Sequence, residues 1–349
     1  MKCTIQNIAD HLGLSRNTVS KALKNSSEVS ENTRNLVIKT ASKLGYKNAT
    51  FATPVIPASE TGSNGTILFL TRTYASDSEF WTTVLRGIES ILSNANYHLA
   101  ISIMSDSDLK QLNFPQTISD SSIKGIILVE ICDKVVCDAL SQFNLPIVSV
   151  DMPNVPFEEL NGIDVVTMES KKNLKKIINQ LIEKGAESFG FVGDLYSPNV
   201  SRGFQERYNA LSECLAEHQL PLNQKNCLLH QTPEDFRNFQ TTVNNLQAMI
   251  SLPDVFICGN DWTAIQLIYA LQFLGFQIPK DVCVVGFDNI PAASRISPSL
   301  TTISTPQKYL GIAAARQILE RIQHPNCPHV FCQYETELII RNSTNITSF

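Results

Sequence analysis

The stretch that most constrains this chain is residues 4–24, TIQNIADHLGLSRNTVSKALK, which predicts two short helices joined by a tight turn. Thr4 can cap the first helix, because its hydroxyl can accept a hydrogen bond from a backbone N–H of the first turn. Gly13 ends that helix, since glycine adopts positive φ without steric cost, and Ser15 caps the second. One face of each helix is apolar, with residues at helical spacing: Ile5, Ile8, Ala9 and Leu12, then Val19, Ala22 and Leu23. This pattern is typical of a helix-turn-helix.

The opposite face of the second helix has the chemistry of a DNA reader. Arg16 and Asn17 lie at its N-terminal end, and Lys21 lies one turn further along. Arginine can donate two hydrogen bonds to guanine, and asparagine can pair with adenine through both its donor and its acceptor. In helix-turn-helix proteins this end of the second helix reaches the base edges. The alternative interpretation is an amphipathic helical hairpin with a solvated basic face.

The wider N-terminal stretch resembles the headpiece of the lactose/galactose-repressor (LacI/GalR) family of bacterial transcription regulators. The matching segments are TIQNIA, LGLSRNTVSKAL, VSENTR at the start of a third helix capped by Ser30, and LGY at 44–46. The resemblance implies that Arg16, Asn17 and Lys21 read bases. It also implies that Ser15, Thr18 and Asn25 hold phosphates, and Thr4 is added to this DNA-binding set.

Residues 48–66 are predicted to be a linker, because Pro54, Pro57 and two glycines interrupt any long helix. In the family this region forms a short hinge helix that wedges a leucine into the minor groove. Here Val55 takes the leucine position and Thr53 the position of a family arginine, with Pro54 between them. Val55 completes the predicted DNA-binding set, and this departure predicts that the hinge contributes less to DNA affinity than in the family.

The distribution of charge agrees with a DNA-binding head on a body that does not bind polyanions. The chain of 349 residues has a net charge of −5, yet residues 1–50 hold eight Lys/Arg and three Asp/Glu of the 28 and 33 in the whole chain. The head is therefore basic and the remainder acidic. A chain of this length predicts two or three domains.

The cysteines and the N-terminus predict a cytoplasmic protein without a metal or other cofactor. The nine cysteines lack paired zinc-ligand spacing, and most lie in apolar runs, which indicates buried free thiols in a reducing compartment. MKCTIQ has no apolar signal sequence, and no apolar run approaches the ~20 residues of a membrane span.

From residue 67 onward, short apolar strands alternate with amphipathic helices, which predicts parallel sheets covered by helices. Candidate strands are 67–71, 97–104, 124–130, 146–151, 188–193, 254–259 and 282–287. Candidate helices are 80–94, 169–184, 203–219, 234–250, 262–274 and 306–323. Two halves of similar size predict two Rossmann-like lobes, with a cleft at the carboxyl ends of their strands.

The family resemblance continues through this body, in FICGND, in WTAIQLIYALQFLGFQIPKDVCVVGFDNI, in LTTI and in IIRNST near the C-terminus. It implies an all-α helix-turn-helix headpiece followed by an α/β body like that of periplasmic sugar-binding proteins. The expected domains are the headpiece (1–47), the linker (48–66) and an effector-binding and dimerisation domain (67–349), with an N-lobe of about 67–163 and 302–325 and a C-lobe of about 164–301 and 326–349. The absence of a C-terminal heptad tail favours a homodimer.

Candidate effector-binding residues follow the predicted strands, where α/β clefts bind ligands. Asp151, Asn260, Asp261 and Asp288 come directly after strands and can accept hydrogen bonds from ligand hydroxyls or ring N–H groups; Asp261 has the alternative of being only a helix cap. The resemblance adds Arg207 as an effector contact, with a solvated helix-surface arginine as the alternative. Three aromatic residues complete the set, and they also have the alternative of filling the core: Phe80, Trp81 and Trp262.

These observations together predict a DNA-binding transcription regulator, most readily a repressor. Its partners would be double-stranded operator DNA and a small effector held between the lobes, a sugar or sugar derivative in preference to a nucleobase. A sugar-binding transport protein shares the body fold, but it would lack the headpiece. An enzyme is not predicted, because HExxH, GxSxG and P-loop patterns do not occur.

Overall fold

The computed structural model describes residues 4–23, 29–30, 33–34, 36–37, 40–41, 63–72, 78–195, 200–230 and 238–349. Contacts between residues divide the chain into two units, residues 1–62 and residues 63–349, which are described separately. Asn25, Val55 and all but four residues of the predicted linker lie outside the described residues. Within the described residues, no helix has the length and apolar character needed to cross a membrane.

The first unit contains the two predicted helices, α1 (Ile5–Leu12) and α2 (Arg16–Leu23). Thr4 caps α1 as predicted, because its hydroxyl accepts from Asn7 N while the Asn7 side chain accepts from Thr4 N. Gly13 ends α1 with φ of 63°. Apolar side chains bury the facing sides of these helices and of helical residues near 33–41: Ile8, Ala9, Val19, Ala22, Val29, Val37 and Ala41. Leu36, by contrast, is half exposed.

The second unit is built on two six-stranded sheets. The first sheet has the order β11-β5-β4-β3-β1-β2 and is parallel throughout. Its strands are β1 (Thr66–Arg72), β2 (His98–Met104), β3 (Ile123–Val129), β4 (Ile147–Val150), β5 (Ile163–Met168) and β11 (Phe331–Tyr334). We call this sheet and its helices the N-lobe.

The second sheet, with its helices, forms the C-lobe. Its order is β12-β10-β9-β8-β6-β7, and only β12 runs antiparallel to its neighbour. Its strands are β6 (Phe189–Asp194), β7 (Leu228–His230), β8 (Val255–Cys258), β9 (Cys283–Asp288), β10 (Thr301–Ser304) and β12 (Glu337–Ile339). The fold class expected from the sequence is therefore confirmed.

Eight described helices of the body cover these sheets or connect their strands. They are α3 (Glu79–Asn94), α4 (Asp106–Gln111), α5 (Lys134–Ser141), α6 (Lys172–Glu183), α7 (Arg202–Glu217), α8 (Phe239–Ala248), α9 (Asp261–Phe273) and α10 (Gln307–Gln323). Helices α3 and α10 cross closely through a glycine on each side. A Cβ on Gly311 would lie 2.0 Å from Val84 O, and one on Gly87 would lie 2.2 Å from Lys308 O. Backbone therefore packs directly on backbone at this crossing.

The three crossovers between the lobes come later in the chain than the sequence analysis placed them. They follow β5, β10 and β11, at residues 169–171, 305–306 and 335–336, whereas the expected lobe boundaries lay at 163/164, 301/302 and 325/326. The reason is that three strands near the expected crossovers were not recognised. β5 contains the charged Asp164, and β10 and β11 are short and rich in polar residues.

Candidate functional site

The first candidate site is the exposed face of α2 in the headpiece. Ser15 caps this helix, since its hydroxyl accepts from Thr18 N at 3.0 Å, and Val19 and Ala22 anchor the helix to the core. Arg16 and Asn17 are exposed. A concavity of about 300 Å³ lies beside this helix. It is lined by Lys21 and six other residues: Ser15, Asn17, Thr18, Val29, Ser30 and Thr33. Asn17 and Lys21, two of the three predicted base-reading residues, thus line one concavity, and the third, Arg16, is exposed on the same helix.

The second candidate site lies where the carboxyl ends of the two sheets face each other. Asp151 follows β4, Asn260 follows β8, and Asp288 ends β9, as the sequence indicated. Asp151 reaches across the lobes, because its carboxylate accepts a hydrogen bond from the Ser201 hydroxyl as well as from Met152 N. Arg202 N also donates to Met152 O at 3.0 Å. These hydrogen bonds therefore join the start of α7 in the C-lobe to the loop after β4 in the N-lobe.

Arg207 is a buried arginine and not a solvated surface residue. Its side chain is only 3% exposed, its Nη1 donates to Gly259 O at 2.7 Å, and its guanidinium lies 3.7 Å from the centroid of the Phe287 ring. Its Nε has no hydrogen-bond partner among the described residues. Burial lowers the pKa of Arg207, while Asp288 and Asp151 act in the opposite direction. A buried cation with an unused donor is suited to hold an oxygen acceptor of a ligand.

Asp288 faces this arginine. Burial raises the pKa of Asp288 well above its ordinary value, and the charge of Arg207 opposes the shift. Its backbone has φ of 120°, a conformation uncommon for a residue other than glycine and one that often marks functional positions. Gln307 and Thr305 both donate to its carbonyl oxygen. Asp288 thus has a constrained backbone, and its carboxyl group interacts electrostatically with the Arg207 guanidinium.

Asn260 and Asp261 have different structural environments. Asn260 is the cap of α9, since its side-chain oxygen accepts from Thr263 N at 2.8 Å, whereas the sequence analysis offered Asp261 for that role. Asp261 is fully buried and accepts from the Thr302 hydroxyl at 2.5 Å and from Ile290 N at 2.9 Å. Burial raises the pKa of Asp261 to about 6, and these two hydrogen bonds oppose the shift. This carboxylate ties α9 to β10 and to the segment after β9.

The three predicted aromatic residues do not form one group. Phe80 and Trp81 are both buried, in an edge-to-face contact with ring centroids 4.6 Å apart. Trp81 nevertheless reaches the cleft, because its indole N–H donates to the Glu130 carboxylate. Trp262 is 39% exposed on the first turn of α9. Phe80 is thus a core residue, as the alternative interpretation held.

Comparisons with known proteins match both units. The family model for bacterial regulatory proteins of the lacI family matches residues 4–48, and the model for the periplasmic binding protein-like domain matches residues 178–344. A "HTH-type transcriptional repressor PurR" of Photobacterium profundum is 26% identical over 345 residues, which cover 97% of this chain and 98% of that protein. The chain belongs to the lacI family of bacterial regulatory proteins.

Two further relatives support the same assignment. The "Ribose operon repressor" of Haemophilus influenzae is 27% identical over 344 residues, covering 97% of this chain and 98% of the relative. The solved structure of a LacI family transcriptional regulator from Enterococcus faecium with bound ribose is 25% identical, has a TM-score of 0.65, and covers 80% of this chain and 98% of that one. This lacI-family chain is therefore a DNA-binding transcription regulator, and its named relatives are regulators and not enzymes, as the sequence predicted.

Three charged residues of this lacI-family body escaped the sequence analysis. Glu130 directly follows β3, Arg72 ends β1, and Asp194 ends β6. Burial raises the pKa of Glu130 to about 7; the Trp81 hydrogen bond and Arg72 lower it, while Asp151 and Asp194 raise it. The available signal was the one used for Asp151, a charged residue directly after an apolar strand. Among the described residues, no cluster of His, Cys, Asp and Glu is placed to hold a metal ion.

Proposed function

We propose that the chain is a homodimeric, cytoplasmic transcriptional repressor whose affinity for operator DNA depends on a small hydroxylated effector bound between the two lobes. The observation that carries the proposal is the cleft with Arg207, Asp288 and Asp151 in a chain that also has a basic helix-turn-helix. The expected division into a headpiece (1–47), a linker (48–66) and a body (67–349) is part of the proposal. In the body, we assign β5 and β11 to the N-lobe and β10 to the C-lobe.

The DNA-binding role is assigned to the exposed face of α2. Arg16, Asn17 and Lys21 would contact base edges, while Ser15, Thr18 and Thr4 would lie near phosphates. Ser15 and Thr4 also serve as helix caps. Asn25 and Val55 complete the proposed contact set on the strength of the sequence alone. A dimer would place two such helices about one helical turn apart, ~34 Å, on a near-palindromic operator.

Replacing Arg16 with alanine tests base reading. Because a bidentate contact to guanine is lost, we expect specific operator binding to weaken by about 1–3 kcal/mol and one base position to become less selective. Electrophoretic mobility shift with the operator, with operator variants and with random DNA at a fixed salt concentration measures this. An equal loss on operator and random DNA would show that Arg16 holds a phosphate instead.

The effector role is assigned to the cleft. Arg207 would donate to a ligand oxygen, Asp288 and Asp151 would accept from ligand hydroxyls, and the remaining amide hydrogens of Asn260 would be available beside its capping oxygen. We propose that Asp261 supports the C-lobe side of the cleft and that Phe80 supports Trp81. Trp262 would lie at the rim of the cleft. The ribose-related names of two relatives favour a sugar over a nucleobase.

Regulation would follow from the hydrogen bonds that join the loop after β4 in the N-lobe to the start of α7 in the C-lobe. Asp151 is both a proposed ligand contact and an acceptor for Ser201 at the start of α7. An effector that donates a hydrogen bond to the Asp151 carboxylate would compete with Ser201. It would therefore change the strength of the contact between the two lobes. Since coupling between two binding equilibria is reciprocal, operator DNA would change effector affinity by the same factor.

The homodimer is supported by two exposed apolar surfaces on the body. Ile101 and Ile103 lie on the edge strand β2 and are 52% and 47% exposed. Tyr269 and Phe273 on α9 are also exposed, and Phe273 packs edge-to-face on Phe239 of α8. Exposed apolar patches of this kind mark association surfaces.

We expect Phe273→Glu to weaken the dimer, because a charge would have to be buried against the partner's apolar surface. Sedimentation equilibrium should then show a dissociation constant raised at least about tenfold, the equivalent of ~1.4 kcal/mol. Lys280→Glu provides a control change of charge at an exposed site just after α9. A dimer unaffected by Phe273→Glu would move the interface away from this surface of α9.

A further inference from the structure

The two sheets bring acidic side chains to the points where their strand order reverses. In the N-lobe this point lies between β1 and β3, and in the C-lobe between β6 and β8. Ligands of open α/β sheets bind at such points, outside the carboxyl ends of the strands. Arg72 and Glu130 occupy the first point, and Asp194 and Asn260 the second. Each lobe therefore presents a carboxylate at the position most favoured for a ligand.

Among the residues that the structure describes, the cleft holds more acidic than basic groups. Glu130, Asp151, Asp194 and Asp288 interact electrostatically across it. The two arginines near them are already engaged, since Arg72 Nη2 donates to Asp106 Oδ1 at 2.7 Å. Arg207 donates to Gly259 O at 2.7 Å, and Asp288 and Asp151 are the acidic groups that raise its pKa most. A ligand entering this cleft therefore meets an excess of negative charge.

Two buried polar atoms show what a ligand must offer. Glu130 Oε2 is buried with no hydrogen-bond partner among the described residues, so it needs a donor. Arg207 Nε, on a side chain that is 97% buried, needs an acceptor. A buried polar atom left without a partner is costly, so both point to ligand groups that complete them. A ligand that satisfies both atoms must offer an oxygen that accepts from Arg207 Nε. It must also offer a donor to Glu130 Oε2 that is favourable beside the surrounding carboxylates.

We propose that the effector carries a protonated amine on a hydroxylated ring, as amino sugars do, and that the cleft rejects sugar phosphates. This inference rests on the proposed effector role of the cleft. A hydroxyl oxygen accepts from Arg207, and the ammonium group donates to Glu130 and lies near Asp194. A phosphate would also satisfy Arg207, but it would bring added negative charge beside four carboxylates.

The protonation of the cleft supports this choice. Burial raises the pKa of Glu130 to about 7 and that of Asp151 to about 6. The groups facing Glu130 are Trp81 from α3, Arg72 from β1, Asp151 after β4, Asp194 from β6, Asp288 from β9 and the neutral thiol of Cys132. A bound ammonium group favours the ionised carboxylates, so its binding should release protons near neutral pH. Affinity for the amine should then fall as pH falls through this range.

The test uses the full-length protein and three hexoses, glucose, galactose and mannose, each as the neutral sugar, the 2-amino sugar and the 6-phosphate. Isothermal titration calorimetry at pH 7.5 and 5.5, in buffers of different ionisation enthalpy, measures affinity and proton release. We expect at least one amino sugar to bind at least about tenfold more tightly than its neutral and phosphorylated counterparts at pH 7.5, since lowering one carboxyl pKa by one unit is worth a factor of ten. That advantage should shrink at pH 5.5.

Glu130→Gln should abolish the preference for the amine while keeping binding of the neutral hexose, because the amide retains a hydrogen-bonding oxygen without the charge. Asp194→Asn is the second variant, and Glu183→Gln at the exposed end of α6 is the matched control. Circular dichroism melting confirms that each variant folds. Equal or tighter binding of a neutral or phosphorylated hexose, no binding of any amino sugar, or a preference retained in Glu130→Gln and Asp194→Asn would overturn the inference. Operator binding is measured separately by mobility shift, and its absence would refute the regulatory function alone.

Discussion

Arg207→Ala is expected to lower effector affinity about ten- to a hundred-fold, because it removes a donor and leaves a carboxylate unpaired in a dry cleft. Arg207 lies between Asp288, Asp151 and the Phe287 ring, and it is the main charge that opposes the burial-raised pKa of Asp288. Without the guanidinium, the charge that opposes the effect of burial is lost, and the pKa of Asp288 rises further. Calorimetric titration with the tightest-binding hexose derivative measures the loss.

Operator binding by the ligand-free variant should survive, because the headpiece belongs to a separate unit of the chain. The response of operator binding to effector should disappear in the same variant. Ser212→Ala, at an exposed position of the same helix α7, serves as the control and should behave like the wild type. Unchanged effector affinity in a folded Arg207→Ala protein would show that Arg207 does not contact the effector. Its role would then be structural, through the hydrogen bond to Gly259 O.

Local sequence patterns predict the positions of most elements but not which sheet each strand joins. The seven strands expected from apolar runs all occur, with no end shifted by more than one residue. β5 was missed because Asp164 interrupts its apolar run. That carboxylate is tolerated inside a strand only because Arg321 reaches it from a helix 157 residues away in sequence. A pairing of this range leaves no local signal, so the crossovers were placed too early.

The candidate cleft was predicted in part for a similar reason. A polar residue directly after an apolar strand identified Asp151, Asn260 and Asp288, and the same rule applies to Glu130 and Asp194. Which of these residues face each other depends on the strand order, because only β1, β3, β6 and β8 border the points of reversal. The task of Asp261 also depends on a distant partner, since Thr302 on β10 lies 41 residues further along the chain, whereas Asn260 caps α9 through the nearby Thr263.

Asp164→Asn is expected to lower the free energy of unfolding by about 3–5 kcal/mol, the typical cost of breaking a buried ion pair by removing one partner. The Asp164 and Arg321 side chains are 1% and 5% exposed, and two hydrogen bonds of 2.8 and 3.0 Å join them. Asp164 also accepts from Gln317 and from Val330 N. The carboxylate therefore fastens α10 and the start of β11 to β5. Urea unfolding followed by circular dichroism measures the loss.

The Asp164–Arg321 pair should also make the free energy of unfolding of the body depend on pH. Burial alone would raise the pKa of Asp164, but the hydrogen bonds from Arg321 and Gln317 outweigh it, and the net pKa lies below the ordinary value. Its stabilisation is thus complete above the pKa of the unfolded chain, ~4, and is lost as pH falls through the folded value. Asp138→Asn, which removes the exposed pair with Lys134, should leave unfolding at neutral pH close to that of the wild type. If Asp164→Asn were equally harmless, the pair would be dispensable, and packing of α10 on α3 alone would hold the crossovers in place.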